Sequence, residues 1–387
     1  MKIKRLIISI VLLVFILLPF LLWLSWKLTP HKHLNVLIMD KTMLTQEGIE
    51  HNAFNWVLTH KGYVKPDEGF YSIADDYFGF FPLENHKYYI RDLAKYTDKQ
   101  LDSLSNLYQM AYFADTYGVY YNEWYRQKNR VKYSEKLYGG LDENDYLFLK
   151  KMKEKKKLII AEFNFFATPT CSDVREKTEK LFGLNWTGWT GRYFEMLDTI
   201  KNPELPYWVI RLYKEQHNGK WPFKKSGIIF VNDDQTIAIL ENETHLKKEV
   251  PSVKSFEYSV EKFGIPDEIN YPYWFDITLS ADTNNKMISY YEIFPNVKGD
   301  SILNHHKIPK IFPAAFENIK DSPFYYFCGD YTDSHIDNTF MKFDGIEYFK
   351  LFLLNENNKS DRTLFFWRYY LPIEEKILGG YYKTIVQ

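Results

Sequence analysis

Leu107-Tyr-Gln-Met-Ala-Tyr-Phe-Ala-Asp115, then Gly139-Gly140, Asp142-Glu-Asn-Asp145 and Lys157-Leu-Ile-Ile-Ala-Glu162 decide the fold. Two short apolar runs each end in a carboxylate, and a charged stretch of helical length lies between them. Such runs, bounded by turn signals, read as strands buried on both faces. Gly139-Gly140 supplies a turn, and Asp142 with Asp145 three residues on is a near capping box opening a helix through Lys155. Strand, helix and strand in this sequence form a βαβ unit, whose two strands lie parallel.

The same grammar extends in both directions. Asn35-Val-Leu-Ile-Met-Asp40 reads as another buried strand ending in an acid. Glu47 to His60 follows with Ile49, Phe54, Trp56, Val57 and Leu58 near helical spacing, closed by Gly62. Thr170 with Asp173 marks a helix start that runs to Phe182-Gly183. Phe324-Tyr-Tyr-Phe-Cys-Gly-Asp330 is a further strand with a terminal carboxylate. Leu364 to Leu378 is apolar at helical spacing, with Pro372 expected to kink or end it. Gly227–Asn232 and Thr236–Glu241 fit either the parallel sheet or a hairpin, and Phe275–Leu279 and Met287–Phe294 read as a pair joined by a polar turn. Strands alternating with helices predict an α/β fold: an open, mostly parallel sheet with helices on both faces. Asn35–Asp40, Leu107–Asp115 and Lys157–Glu162 are expected as parallel members of it.

The N-terminus predicts where this fold sits. Leu6 to Trp26 carries no charge over 21 residues, about enough at 1.5 Å per residue to cross a hydrocarbon core of roughly 30 Å. Lys2, Lys4 and Arg5 precede it, which places the N-terminus in the cytoplasm. A cleaved signal peptide is the competing reading, weakened by the length of the run and the lack of a small-x-small cleavage site before Pro30. The chain thus divides into a basic stub (1–5), an anchor (6–26) standing clear of the domain core, a linker (27–34) and an extracytoplasmic α/β domain (35–387). The expected location is the cell membrane, single-pass, with the lipid bilayer as a partner. The 49 basic and 50 acidic residues nearly cancel, so no nucleic-acid footprint appears. The excess lies in aromatics, 31 Tyr, 30 Phe and 10 Trp, enough to fill a core and leave rings for stacking on sugar-like ligands.

Ligands of open parallel sheets collect at the carboxyl ends of the strands. Asp40, Asp115, Glu162 and Asp330 all stand there. Clustered acids of this kind raise one another's pKa, serve as acid and base, or hold a hard cation. Their plainer role is to cap turns where strands end. Tyr117 and Asn164 are expected beside them. Arg192, in the glycine-spaced Thr187-Gly-Trp-Thr-Gly-Arg192, is the candidate counter-charge folding back over the rim. That segment reads either as a ligand loop or as a turn whose rings plug the core. Cys171 and Cys328 are expected as two unpaired, buried thiols, a disulfide being the lesser alternative. His305-His306 lacks the further ligand spacing of a metal site, and no cofactor motif is present.

Three places in the chain resemble the class I glutamine amidotransferase-like superfamily, in its non-glutaminase, trehalose-utilisation-protein-like branch. The Asn35–Asp40 strand with its helix resembles the opening unit. Tyr138-Gly-Gly-Leu141, its helix and Lys157 to Asn164 resemble the unit that carries the nucleophile in active members. Phe324 to Asp330 and the apolar helix through Leu378 resemble the closing unit. The resemblance implies a flavodoxin-like sheet. It covers about half of the exported chain, in architecture more than identities. Active members place a Cys in a Gly-x-Cys-x-Gly elbow and a His-x-Glu pair near the last strand; here Ala161-Glu-Phe-Asn-Phe165 and Gly329-Asp330-Tyr331 stand instead. Without nucleophile and base, acyl transfer by that route has no basis. The expected function is binding of an envelope glycan or an envelope partner protein, the alternative being a carbohydrate-active hydrolase working through strand-end carboxylates.

Overall fold

The computed structural model describes residues 17–125, 134–354 and 358–386. Its centre is five parallel strands, Phe78–Pro82, Val36–Asp40, Met110–Asp115, Leu158–Ala161 and Phe324–Phe327, lying side by side in that order. Numbered along the chain the order is 2-1-3-4-5, a doubly wound arrangement. All five are buried throughout, as expected of strands covered on both faces. Helix Ile49–His60 packs with Leu371–Val386, which also meets Glu257–Phe263; Asp98–Leu107, Glu143–Glu154 and Ser172–Phe182 pack in succession. Right-handed crossovers put these two groups on opposite faces of such a sheet.

The sheet is mixed rather than mostly parallel. Beyond Phe324–Phe327, four strands continue antiparallel: Ile311–Asn318, Lys286–Glu292, Ser252–Ser255 and Glu268–Asn270. Tyr88–Arg91 caps the other edge in the same way. The excess comes from the long segment between the fourth and fifth parallel strands, where period and composition do not reveal strand direction. That segment also builds a second, antiparallel sheet, ordered Ile237–Glu241, Gly227–Asn232, Leu184–Phe194 and Trp274–Ser280. The 227–241 hairpin is therefore real. Trp274–Ser280 and Lys286–Glu292, by contrast, belong to different sheets and do not pair with each other. Helix Tyr207–Gln216 covers the second sheet through Val209 and Leu212, packed with Leu197, Ile229 and Ile239.

Local readings differ in instructive ways. Residues 98–107 form a helix with a Thr97–Gln100 capping box, so the third parallel strand begins at Met110, not Leu107. Cys171, not Thr170, is the residue preceding helix Ser172–Phe182; the Thr170 hydroxyl instead accepts from the Leu141 amide at 2.9 Å. Pro372 neither breaks nor ends its helix. A π turn at Phe366–Tyr370 lies just before it, and the helix continues to Val386. Such a turn relieves the ladder where proline supplies no N–H.

The expected anchor falls partly on residues 6–16, outside the described residues. Residues 17–28 are helical, and no helix among the described residues is long and apolar enough to cross a membrane. This helix end does not stand clear of the domain. Trp26 is buried, its indole donating to the His60 carbonyl at 3.0 Å.

Candidate functional site

The first and third parallel strands meet at the point where the strand order reverses, and they end together. Asp40 and Asp115 are direct partners across that pair. Gly79 lets the second strand pass: at φ +149° it lies so close to the Asp40 carbonyl that a Cβ would stand 1.6 Å away. The Asp40 carboxylate is fully engaged. Oδ1 accepts from the Thr42 amide at 2.9 Å and Oδ2 lies 2.6 Å from His51 Nδ1. The other ring nitrogen of His51 faces the Ile73 carbonyl at 3.0 Å, and a carbonyl only accepts, so Nε2 carries a proton. The His51 ring thus bridges the Asp40 carboxylate and the Ile73 carbonyl.

Asp115 is buried beside this pair and accepts from the Tyr117 amide at 2.7 Å. Burial first, and the Asp40 charge next, push its carboxyl up to about 7, against the donors that favour its charged form, Thr42 and Asn164 among them. Asn164 holds a left-handed conformation, φ +65°, and its carbonyl accepts from the Thr116 hydroxyl at 2.9 Å. Tyr117 and Asn164 thus flank Asp115.

Glu162 follows the fourth strand and is saturated. Oε2 accepts from the Tyr331 amide, the Thr332 amide and the Thr332 hydroxyl, each at 3.0 Å, and Oε1 accepts from the Tyr112 hydroxyl. Burial raises its carboxyl to about 8 while those donors pull the other way. It clamps the segment leaving the fifth strand onto the end of the fourth.

Asp330 stands on that clamped segment. The second sheet reaches it: Phe275 forms a bridge with Gly329, and the Asp330 amide donates to the Trp274 carbonyl at 3.1 Å. Asp330 is buried and its Oδ1 has no hydrogen-bond partner. Burial, then the charges of Asp333, Asp115 and Glu162, raise its carboxyl well above the usual range, with Arg362 opposing. Asp333 accepts from the Tyr273 hydroxyl at 2.7 Å and meets Arg362 at 3.4 Å, and Arg362 lies 3.8 Å over the Tyr273 ring. These groups, with Tyr271 and Phe365, line a notch of about 10 Å³, room for one water or one hydroxyl. A larger open trough, about 360 Å³, lies elsewhere along Tyr207, Arg211 and Lys214.

The four strand-end acids therefore share one rim, and Glu50 joins them, its carboxyl raised by burial and by Asp40, Asp333 and Asp115. The counter-charge is Arg362, not Arg192. Thr187–Arg192 is not a loop; it lies within the bulged strand Leu184–Phe194, with Trp186 and Trp189 buried. Arg192 pairs with Glu204 and approaches the rim only through the Tyr273 ring, 4.8 Å away. Beneath the rim, Lys41 is buried and donates to the Gly140 carbonyl at 2.9 Å and to Asp145, tying the first strand to the capping box of helix Glu143–Glu154. Among the described residues, no group of three His, Cys, Asp or Glu side chains is placed to hold a metal ion. Both cysteines are free; Cys328 is buried as expected, whereas Cys171 is exposed.

Sequence reading missed Glu50, His51, Tyr273, Asp333 and Arg362. Asp333 follows the Asp330 strand end by three residues, and His51 and Glu50 open the helix after the Asp40 strand, where rim residues collect. Tyr273 and Arg362 come from the second sheet and the C-terminal helix, whose approach carries no local signal. No family model matches the chain, and neither a curated protein nor a solved structure is similar to it.

Proposed function

We propose that this chain is a membrane-anchored, extracytoplasmic binding domain that holds a hydroxyl-rich envelope ligand, a glycan, at the Asp330–Asp333–Arg362 notch. The observation that carries this reading is the unpartnered Oδ1 of buried Asp330. A buried polar atom without a partner costs about 1–3 kcal/mol, so it marks a place where a ligand or water completes the bonding. Asp330 and Asp333 offer acceptors and Arg362 several donors, which suits adjacent hydroxyls of a sugar. The notch seats one hydroxyl, and the Tyr273 ring, held under Arg362, forms its wall.

The 2-1-3-4-5 strand order supports an amidotransferase-like, flavodoxin-like centre. The residues that follow its fourth strand, Glu162-Phe-Asn164, supply no nucleophile, so glutaminase chemistry is not part of this reading. The raised carboxyls of Asp115, near 7, and Glu162, near 8, favour a hydrolase, since a general acid needs such a pKa. Against it, Asp40, Asp115 and Glu162 all accept main-chain N–H groups, and the notch is too small for a scissile bond between two acids.

The test is titration calorimetry of the full chain with solubilised envelope polysaccharide fragments. Saturable binding lost in Asp330→Asn and Tyr273→Ala, with no release of reducing ends, is the expected result. Release of reducing ends that depends on Asp115 would replace binding by hydrolysis. Absence of any glycan binding by the folded wild type would end the proposal.

A further inference from the structure

Helix Ile346–Leu353 turns Glu347 inward. Its carboxylate meets His60 Nε2 at 3.2 Å and Lys61 Nζ at 3.3 Å, fixing the helix against the end of helix Ile49–His60. Facing out are Tyr348, 68% exposed, and Phe349, 42% exposed, with Leu351 and Phe340 also exposed. Large rings grouped in solvent mark a contact surface. What covers this one is indicated by its neighbour. The Asp344 amide donates to the Leu22 carbonyl at 3.1 Å, and Ser25 Oγ donates to the Asp344 carboxylate at 2.7 Å. The loop entering the helix is therefore bonded to residues 22–25, the end of the apolar N-terminal run.

At 1.5 Å per residue, Leu22 lies about 6 Å before Trp26 along the helix axis. Interfacial helices bury their apolar face to roughly that depth, about 5–10 Å. The same region pairs cations with rings, as bilayer interfaces do: Lys27 lies 4.8 Å over Trp23, Lys342 5.7 Å over Trp26 and Lys350 5.2 Å over Phe340. Leu17, Phe20 and Leu21 remain exposed on the adjoining helix, so both elements joined through Asp344 present apolar side chains.

We propose that Phe340 and the Tyr348–Phe349 face of helix Ile346–Leu353 lie in the outer interface of the bilayer that holds the N-terminal run, seating the domain on the membrane at two points. This rests on the anchor reading given under Proposed function and adds a lipid contact to it. A flexibly tethered domain would sample many orientations; one held by both elements keeps its rim at a fixed attitude to the lipid.

The experiment uses the full chain with Cys171→Ser and a single bimane-labelled cysteine, reconstituted in phosphatidylcholine–phosphatidylglycerol vesicles with or without interface-depth nitroxide lipid. Tyr348→Cys and Phe20→Cys are expected to lose most of their emission to the quencher, whereas Ile200→Cys, 93% exposed in the long segment between the fourth and fifth parallel strands, keeps its emission. Quenching at Phe20→Cys without quenching at Tyr348→Cys overturns the seating and leaves the anchor intact. No quenching at either position removes both. Equal quenching at Ile200→Cys shows unspecific adhesion and overturns the seating.

Discussion

Glu162 and Asp330 follow neighbouring parallel strands, paired through Ala161 and Tyr326, and both are buried, yet their surroundings are opposite. Glu162 accepts from four donors, three of them on Tyr331 and Thr332. Asp330, one residue before that clamp, leaves an oxygen without a partner and sits among like charges. Position at a strand end is thus common to both acids; what separates them is whether the main chain has used their lone pairs. Glu162 holds the rim together, and Asp330 is what the rim holds out.

The sharpest break in that comparison is deletion of each acid. Glu162→Ala strands two buried amides and the Thr332 hydroxyl, so a loss of about 3–5 kcal/mol is expected in urea unfolding. Asp330→Asn removes a crowded charge and should leave stability within about 1 kcal/mol of wild type, while glycan affinity falls about tenfold or more. Equal destabilisation by the two would erase the distinction.

Proton linkage sharpens it further. Asp115 and Glu162 titrate near 7 and 8 in the folded chain, against ordinary values of 3.8 and 4.5. Between those limits the folded state holds protons that the unfolded chain has released. Their contribution to stability is complete below about pH 4 and is lost as pH rises toward 8, with a slope of up to about 1.4 kcal/mol per unit for each group. Asp115→Asn should flatten the part of the curve below pH 7. Glu347 runs the other way: burial is outweighed by His60 and Lys61, which hold its carboxyl down to about 2, so its stabilisation is present above about 4.5 and fades as pH falls toward 2. A melting-temperature series across pH reads both.

Arg192 gives the smallest effect. Its partner Glu204 is 67% exposed, and such pairs contribute under about 1 kcal/mol, so Arg192→Ala should shift the urea midpoint only slightly. Arg362→Ala, which leaves Asp333 beside Asp330 without a cation, should lower the midpoint more and weaken glycan binding. A larger stability loss for Arg192 than for Arg362 would restore it as the counter-charge of the rim.

Much of this was legible in residues that act locally. Apolar runs ending in Asp or Glu mark four of the five parallel strands, and Asp142 with Asp145 a helix start, because each signal lies within one turn or one strand; Phe78–Pro82, with Gly79 and Pro82 and no terminal acid, carries no such mark. The antiparallel half was not legible: Ile311–Asn318 and Lys286–Glu292 look much like parallel strands in composition, and direction depends on connections made far along the chain. Arg192 was misplaced for the same reason, since a strand with two glycines and a bulge looks like a loop. Tyr273 and Arg362 reach the rim only through the meeting of separate elements, which no spacing encodes.

The fifth parallel strand, Phe324–Phe327, slots between Leu158–Ala161 and Ile311–Asn318, about 160 residues after the first of these neighbours. A chain emerging from its N-terminus exposes Leu158–Ala161 as an apolar edge, unpaired on that side, until that late strand follows. Closing so long a loop is slow, and an open edge of this kind recruits other chains. Synthesis of this protein therefore carries a window of vulnerability whose length is set by elongation speed, and a holdase that masks the edge during that interval would raise yield without touching the finished fold.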